Sequence, residues 1–250
     1  YTVGENTGVF SVDLNKINDM TFRICLYTAI ARAMGNTTDT NIQLVTGLPA
    51  EYYKSQKNDL RRSLKGEVVT IKVNGKSRKF IISEVIVFPQ SAGPFLLEPE
   101  TFNDSNTIVI DIGGKTVDIS IFDDLKLTRT GTYELGMLKL YDRLVQQIKA
   151  EYEVSYDVLQ AERIIRKKEI GKNNEVIEIG RLVNKVLKAH ADEIVRNVKN
   201  GFEEYNTNKR IYIGGGAYVL KDYLDTDVSK ESIFTNAKAF YKIGVEKFEG

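Results

Sequence analysis

The sequence is poor in the residues on which much side-chain chemistry depends. Its 250 residues include one cysteine and one histidine. A single cysteine forms no internal disulfide, which fits a reducing, cytoplasmic setting. Cys25 lies in the apolar run Ile24-Cys25-Leu26-Tyr27, a placement that predicts a buried structural thiol rather than a nucleophile. His190 follows Leu187 by three residues on an apolar helical stripe, which predicts a packed residue rather than a ligand or base. A serine–histidine–aspartate site would have only this histidine to use. No stretch approaches the roughly 20 apolar residues of a membrane span. A formal net charge of +1 supplies no basic field for direct contact with nucleic acid. The opening Tyr1-Thr-Val-Gly-Glu has neither a methionine nor a leader pattern, and the expectation is that several dozen upstream residues belong before it. What remains is 42% hydrophobic and 28% charged, a globular composition. The length suits one large domain or two small ones.

The most informative stretch is Thr107-Ile-Val-Ile-Asp-Ile-Gly-Gly-Lys-Thr-Val-Asp-Ile-Ser-Ile-Phe122. Ile108, Val109, Ile110 and Ile112 form a near-continuous β-branched run, the mark of a strand buried on both faces. Gly113-Gly114 supplies freedom for a tight reversal. From Thr116 to Phe122 the pattern alternates, with Val117, Ile119 and Ile121 against Asp118 and Ser120. Two carboxylates, Asp111 and Asp118, flank the turn, and a buried unpaired carboxylate is costly. A metal–phosphate group would give them partners, with amides cradling phosphate oxygens and carboxylates holding the metal directly or through water. The other reading is an ordinary hairpin with surface aspartates. Gly114-Lys115-Thr116 looks like the end of a P-loop, but that motif needs a glycine five positions before Gly114. Val109 stands there, and a strand rather than a helix follows.

Periodicity organises the rest. A helix is expected near Leu14 to Met34, a short strand over Asn41 to Thr46, and a charged helix over Glu51 to Leu64. That helix carries Lys54, Lys57, Arg61, Arg62 and Lys65 and reads as a solvated face. Asn74-Gly75 between Val68–Val73 and Lys79–Phe88 is a strong hairpin signal. Gln90 sits where that strand hands over to a helix, either as a reacting group or as one more surface glutamine. A third strand of the central sheet runs from about Lys126 to Tyr133. Gly136 precedes a helix with Met137, Leu140, Tyr141, Leu144 and Ile148 on one face. A charged helix around Ala161 to Glu169 and a polar stretch, Gly171-Lys-Asn-Asn-Glu175, come next. A long helix from about Ile179 to Phe202 leads to Arg210-Ile-Tyr-Ile213 and then Gly214-Gly215-Gly216-Ala217. Strand, glycine triplet and helix let backbone approach a flat ligand or a phosphate closely. A last helix is expected over Ala237 to Phe248.

Ile110-Asp-Ile-Gly-Gly-Lys-Thr-Val-Asp-Ile-Ser120 resembles the second phosphate motif of the actin/chaperone/sugar-kinase ATPase superfamily. Ile211-Tyr-Ile-Gly-Gly-Gly-Ala217 resembles its adenosine motif. Leu44-Val-Thr-Gly-Leu-Pro49, Phe88-Pro-Gln-Ser91 and Thr235-Asn-Ala-Lys-Ala-Phe-Tyr-Lys-Ile-Gly244 are similar to the bacterial ParM/StbA actin-like proteins of plasmid segregation. The resemblance implies an α/β actin-like fold of the duplicated ribonuclease H type, with two lobes around a nucleotide cleft. Lobe I would be residues 1–100 with a C-terminal helix at 234–250. Lobe II would be 101–233, with a small upper subdomain built from the Glu162 helix alone. By the same resemblance, Asp111 holds Mg²⁺ through water against the phosphates of ATP. Gly113, Gly114, Lys115 and Thr116 cradle the phosphates, and Gln90 orients the attacking water. Gly214, Gly215 and Gly216 meet purine and ribose. Glu162 and Arg166 are candidates for the adenine side, with a merely charged outer face as the alternative. Members of the superfamily also carry an earlier Asp-x-Gly strand pair that grips the phosphates from the opposite side. No such pair precedes residue 111; Asp13-Leu-Asn-Lys16 does not fit. The first phosphate hairpin is therefore missing, and truncation is the preferred explanation. The implied function is an ATPase, inactive if truncated as written, that self-associates into filaments to segregate low-copy plasmid DNA, with a ParR-like adaptor making the DNA contact. Two alternatives are a small-molecule kinase of the same superfamily and a non-hydrolysing scaffold.

Overall fold

Among the described residues, two main sheets, of three and four strands and each with its own helices, and one two-stranded hairpin make up the computed structural model, which describes residues 17, 19–35, 40–102, 105–226, 228–229 and 233–249. The first unit comprises Tyr1–Leu97 and Asn236–Gly250, the second Glu98–Thr235.

Helix α1 (Met20–Ala33) begins at Asp19, whose carboxylate accepts the Thr21 amide at 2.8 Å and so satisfies an otherwise orphan donor. The expected start near Leu14 falls outside the described residues. Strand β1 (Asn41–Leu48), helix α2 (Ala50–Leu64), and strands β2 (Val68–Val73) and β3 (Lys76–Pro89) follow. Asn74 and Gly75, at φ 49° and 80°, close the β2–β3 hairpin as expected. The sheet order is β1-β3-β2, with β1 parallel to β3. Ile30, Ala31, Met34, Leu60 and Leu64 from the two helices pack with Leu44, Leu48, Phe80, Ile82 and Val85 from the sheet. Cys25 contradicts its expectation, because it is exposed. At about 100° per residue it stands opposite the arc through Ile30, Ala31 and Met34; the apolar run around it wraps the helix instead of marking its inner face.

A short 3₁₀ turn (Gln90–Ala92), α3 (Gly93–Leu97) and α4 (Pro99–Phe102) lead to the second sheet. Its strands are β4 (Thr107–Ile112), β5 (Val117–Asp123) and β6 (Lys126–Tyr133). They are followed by α5 (Met137–Tyr152), α6 (Ala161–Lys167), β7 (Glu169–Lys172), β8 (Glu175–Glu178), α7 (Gly180–Gly201), β9 (Lys209–Ile213) and α8 (Gly215–Leu220). Helix α9 (Thr235–Phe248) lies almost wholly in the first unit. The order β6-β5-β4-β9 places β4 between an antiparallel partner, β5, and a parallel one, β9.

Two expectations are corrected in this unit. The alternative of surface aspartates does not hold at Asp118, which is 7% exposed, and Ser120 on the same strand is fully buried. Asp118 has partners within the protein: it accepts the Thr116 hydroxyl at 3.0 Å and the Thr132 hydroxyl of β6 at 2.6 Å. The segment after α6 is not helix and loop alone. β7 and β8 pair as a hairpin whose turn residues, Asn173 and Asn174, sit at φ 53° and 65°. Asparagine tolerates this left-handed backbone better than most residues, so the polar Asn-Asn stretch is a two-residue turn.

The inner faces of α5 and α7 cover Ile108, Ile110, Ile112, Val117 and Ile119, with Leu140, Leu144, Ile148, Val183, Leu187, Ile194 and Val198 fully or nearly fully buried. Tyr205 and Tyr212, both fully buried, form a chain in which Tyr212 donates to the Tyr205 hydroxyl at 2.8 Å and Tyr205 donates to Asp225 at 2.6 Å. Burial followed by the carboxylate neighbour drives the Tyr205 phenol well above its ordinary range. Burial opposes ionisation of Asp225, but the phenols, Arg210 and Lys199 outweigh it and hold its pKa low. This buried network fixes the stretch between β9 and the residues after α8.

Candidate functional site

The turn between β4 and β5 is fastened from behind. The amides of Gly136, Met137 and Leu138, at the start of α5, donate to the carbonyls of Lys115 (3.0 Å), Gly113 (3.0 Å) and Gly114 (2.8 Å). A trans peptide sets its N–H opposite its C=O. With those three carbonyls turned onto α5, the amides sharing their peptide planes, those of Gly114, Lys115 and Thr116, face the other way. Consecutive amides presented together form an anion-binding concavity. The turn is closed by the Gly113 amide on the Thr116 carbonyl at 2.9 Å. Gly114 is exposed, and a Cβ added to it would meet no atom within 4 Å, so a ligand can approach its backbone.

Asp111 and the glycine triplet come together because β4 and β9 are parallel neighbours, with Asp111 opposite Ile213. Gly214 has φ +92°, a conformation that disfavours any side chain. A Cβ there would also lie 2.4 Å from Asp111 Oδ1 and 2.5 Å from the Ile112 carbonyl oxygen. The half-buried Asp111 carboxylate thus lies directly over Gly214. A Cβ at Gly216 would meet Ile112 Cγ2 at 2.3 Å, whereas one at Gly215 would meet nothing within 4 Å. Two of the three glycines serve close packing of α8 on β4, and the third leaves open space. Asp111 and Gly214 therefore stand at the C-terminal ends of parallel strands, where open α/β sheets place their ligands.

The donor set fits a hard cation held jointly with phosphate. Asp111 supplies one carboxylate. Among the described residues no group of three or more His, Cys, Asp and Glu side chains forms an all-protein cage. Magnesium characteristically takes one or two carboxylates, water and substrate phosphate. Asp111 is the residue that would hold it.

The remaining candidates are more scattered. Gln90 belongs to the first unit, half-buried at the end of β3. There a Cβ on Gly47 would lie 2.8 Å from Gln90 Cγ and 2.6 Å from Phe240 Cζ. Gly47 lies inside β1 and leaves the volume that Gln90 and the α9 ring occupy. On α6, Ala161 and Ile164 are buried and Glu162 and Arg166 exposed. Burial, then the Glu162 charge, pushes the Tyr141 phenol up to about 12. Periodicity does not disclose Gly136, where a Cβ would meet the Lys115 carbonyl carbon at 2.4 Å and Gly114 O at 2.5 Å. Its only local signal is its place before a helix.

Residues 1–93 match the family model for the N-terminal domain of actin like proteins, and residues 109–226 match that for the C-terminal part of the archaeal actin homologue, MreB-like. With the two-sheet fold, these consecutive matches define an actin homologue. The chain belongs to the actin-like proteins. It is similar in fold to a 15-stranded ParM filament from Clostridium botulinum, at 24% identity and TM-score 0.80, covering 93% of this chain and 75% of that one. It is also similar to Ta0583, an archaeal actin homologue in complex with ADP, at 19% identity and TM-score 0.78, covering 99% and 84% of the two chains. Bacillus thuringiensis ParM with ATP matches at 17% identity and TM-score 0.74, covering 99% and 78%. No curated protein matches the chain. No described helix is long and apolar enough to cross a membrane.

Proposed function

We propose that this protein binds Mg²⁺·ATP at the β4–β5 turn, hydrolyses it, and assembles into filaments that move low-copy DNA. The observation that carries the reading is the fastened turn: three successive carbonyls given to α5, with Asp111 laid over Gly214 beside it. In this reading the Gly114, Lys115 and Thr116 amides bind phosphate oxygens, Gly215 leaves room for purine or ribose, and Asp111 holds the cation. Bound Mg²⁺ would neutralise phosphate charge as the terminal phosphoryl leaves. Gln90 would orient the attacking water, a positioning role that requires no strong base. Glu162 and Arg166 would flank adenine. Structures of a ParM filament and of ParM with ATP among the fold neighbours support both halves of the reading. Plasmid segregation in the cytoplasm, with a ParR-like adaptor contacting DNA, is the biological role that follows.

The test is calorimetric titration with Mg²⁺·ATP together with phosphate release, on wild type and Asp111→Ala. Binding and turnover in the wild type, with turnover lost and affinity weakened in the variant, is the expected result. Equal affinity and turnover in both would remove Asp111 from the site.

A further inference from the structure

His190 is fully buried on α7 and lies outside both glycine motifs. Its ring nitrogens have different partners. Nε2 stands 2.9 Å from the Leu135 carbonyl oxygen, and Nδ1 stands 3.3 Å from an Arg143 guanidinium nitrogen. A carbonyl only accepts and a guanidinium only donates. One neutral tautomer satisfies both: Nε2–H donates to Leu135, and Nδ1 accepts from Arg143. Arg143 is fixed in turn by its ion pair with Glu193, which also has Lys139 at 3.8 Å.

Leu135 immediately precedes the three amides that fasten the phosphate turn. Its own amide donates to Tyr133 at 2.8 Å, and its carbonyl receives His190. The Tyr133–Leu138 strap thus joins the β6 end to α5, with His190 gripping it one residue before Gly136. We propose that His190 is a positioning residue: through the Leu135 carbonyl it holds the strap whose amides aim the Gly113–Thr116 turn at its ligand. The proposal rests on the nucleotide reading above for the identity of that ligand. Removing the donor leaves a buried carbonyl without its imidazole partner, a costly state that the strap relieves by moving. The turn moves with it, because all three fastening hydrogen bonds leave from the residues next along the strap.

The test compares His190→Leu, His190→Gln and Val198→Ala in the full protein. Glutamine restores a donor for Leu135 and an acceptor for Arg143. Val198, also fully buried on α7 and two turns further along, controls for a general loss of stability. Amide hydrogen exchange is read over residues 133–140, and ATP affinity is read by calorimetry. The expected result is that His190→Leu speeds exchange at Gly136–Leu138 at least tenfold beyond Val198→Ala and weakens ATP about tenfold. His190→Gln should reverse most of both effects. Equal exchange in His190→Leu and Val198→Ala would overturn the proposal, as would faster exchange with unaltered ATP affinity. If the wild type takes up no ATP, the nucleotide reading falls, and the exchange arm alone decides whether His190 holds the turn.

Discussion

Replacing Gly136 with alanine adds one methyl group where the structure has no room for it. The backbone at Gly136 has φ −69°, comfortable for any residue, so the effect is purely one of space. The new Cβ would lie 2.4 Å from the Lys115 carbonyl carbon, 2.5 Å from Gly114 O and 2.6 Å from Gly114 C, where ordinary contact begins at 3.4 Å. All three obstacles are backbone and do not swing aside. Relief needs a separation of about 1 Å between the α5 start and the turn. That would stretch hydrogen bonds now at 3.0, 3.0 and 2.8 Å beyond useful range. Overpacking of this kind costs about 1–3 kcal/mol, and each of the three weakened hydrogen bonds adds about 1 kcal/mol, so a loss of ~4–6 kcal/mol is expected. Urea denaturation measures it. Catalysis should suffer as well, since a misplacement of about 1 Å can cost on the order of 10²-fold in rate. Wild-type stability with wild-type turnover would refute the claim that the α5 start positions the turn.

Other perturbations separate the parts of the account. Gln90→Ala should slow ATP hydrolysis by ~10² or more while leaving ATP affinity nearly intact; a normal rate makes Gln90 a bystander. Gly215→Val should abolish nucleotide binding with an unchanged circular dichroism spectrum, because its side chain enters open space; normal binding would confine this glycine to a turn role. His190 is buried, and burial foremost lowers its pKa from 6.5 to about 4, with Arg143 and Lys139 acting the same way against the Leu135 carbonyl and Glu193. Its folded pKa is below its unfolded one, so its contribution is fully present above pH 6.5 and is lost as pH falls toward 4, ~3 kcal/mol in all. Stability curves against pH should show that slope in wild type and a flatter one in His190→Gln; parallel curves would contradict the burial argument.

Local sequence carried much of the fold and part of the site. The β4–β5 hairpin was readable because its signals are contiguous: a β-branched run, two glycines, then alternation. The Asn74-Gly75 turn and the inner faces of α5 and α7 were readable for the same reason. The β7–β8 hairpin was not, because its four-residue strands carry four charged residues, Glu169, Lys172, Glu175 and Glu178, and leave almost no apolar period. Cys25 misled because an apolar run says nothing about helical phase. The fastening of the turn was beyond reach for another reason. Gly136 is special only because Gly114 and Lys115 fold back upon it, and His190 matters through a carbonyl 55 positions away. Such roles belong to tertiary contact and leave no periodic trace.

The central claim is that nucleotide drives this actin homologue into filaments. Sedimentation of the full protein over a wide concentration range, with Mg²⁺ and a non-hydrolysable ATP analogue, tests it most directly. The account predicts a pelleted fraction above a critical concentration, as open-ended head-to-tail contacts require, and none with Asp111→Ala. Monomer at every concentration with the analogue bound would contradict it.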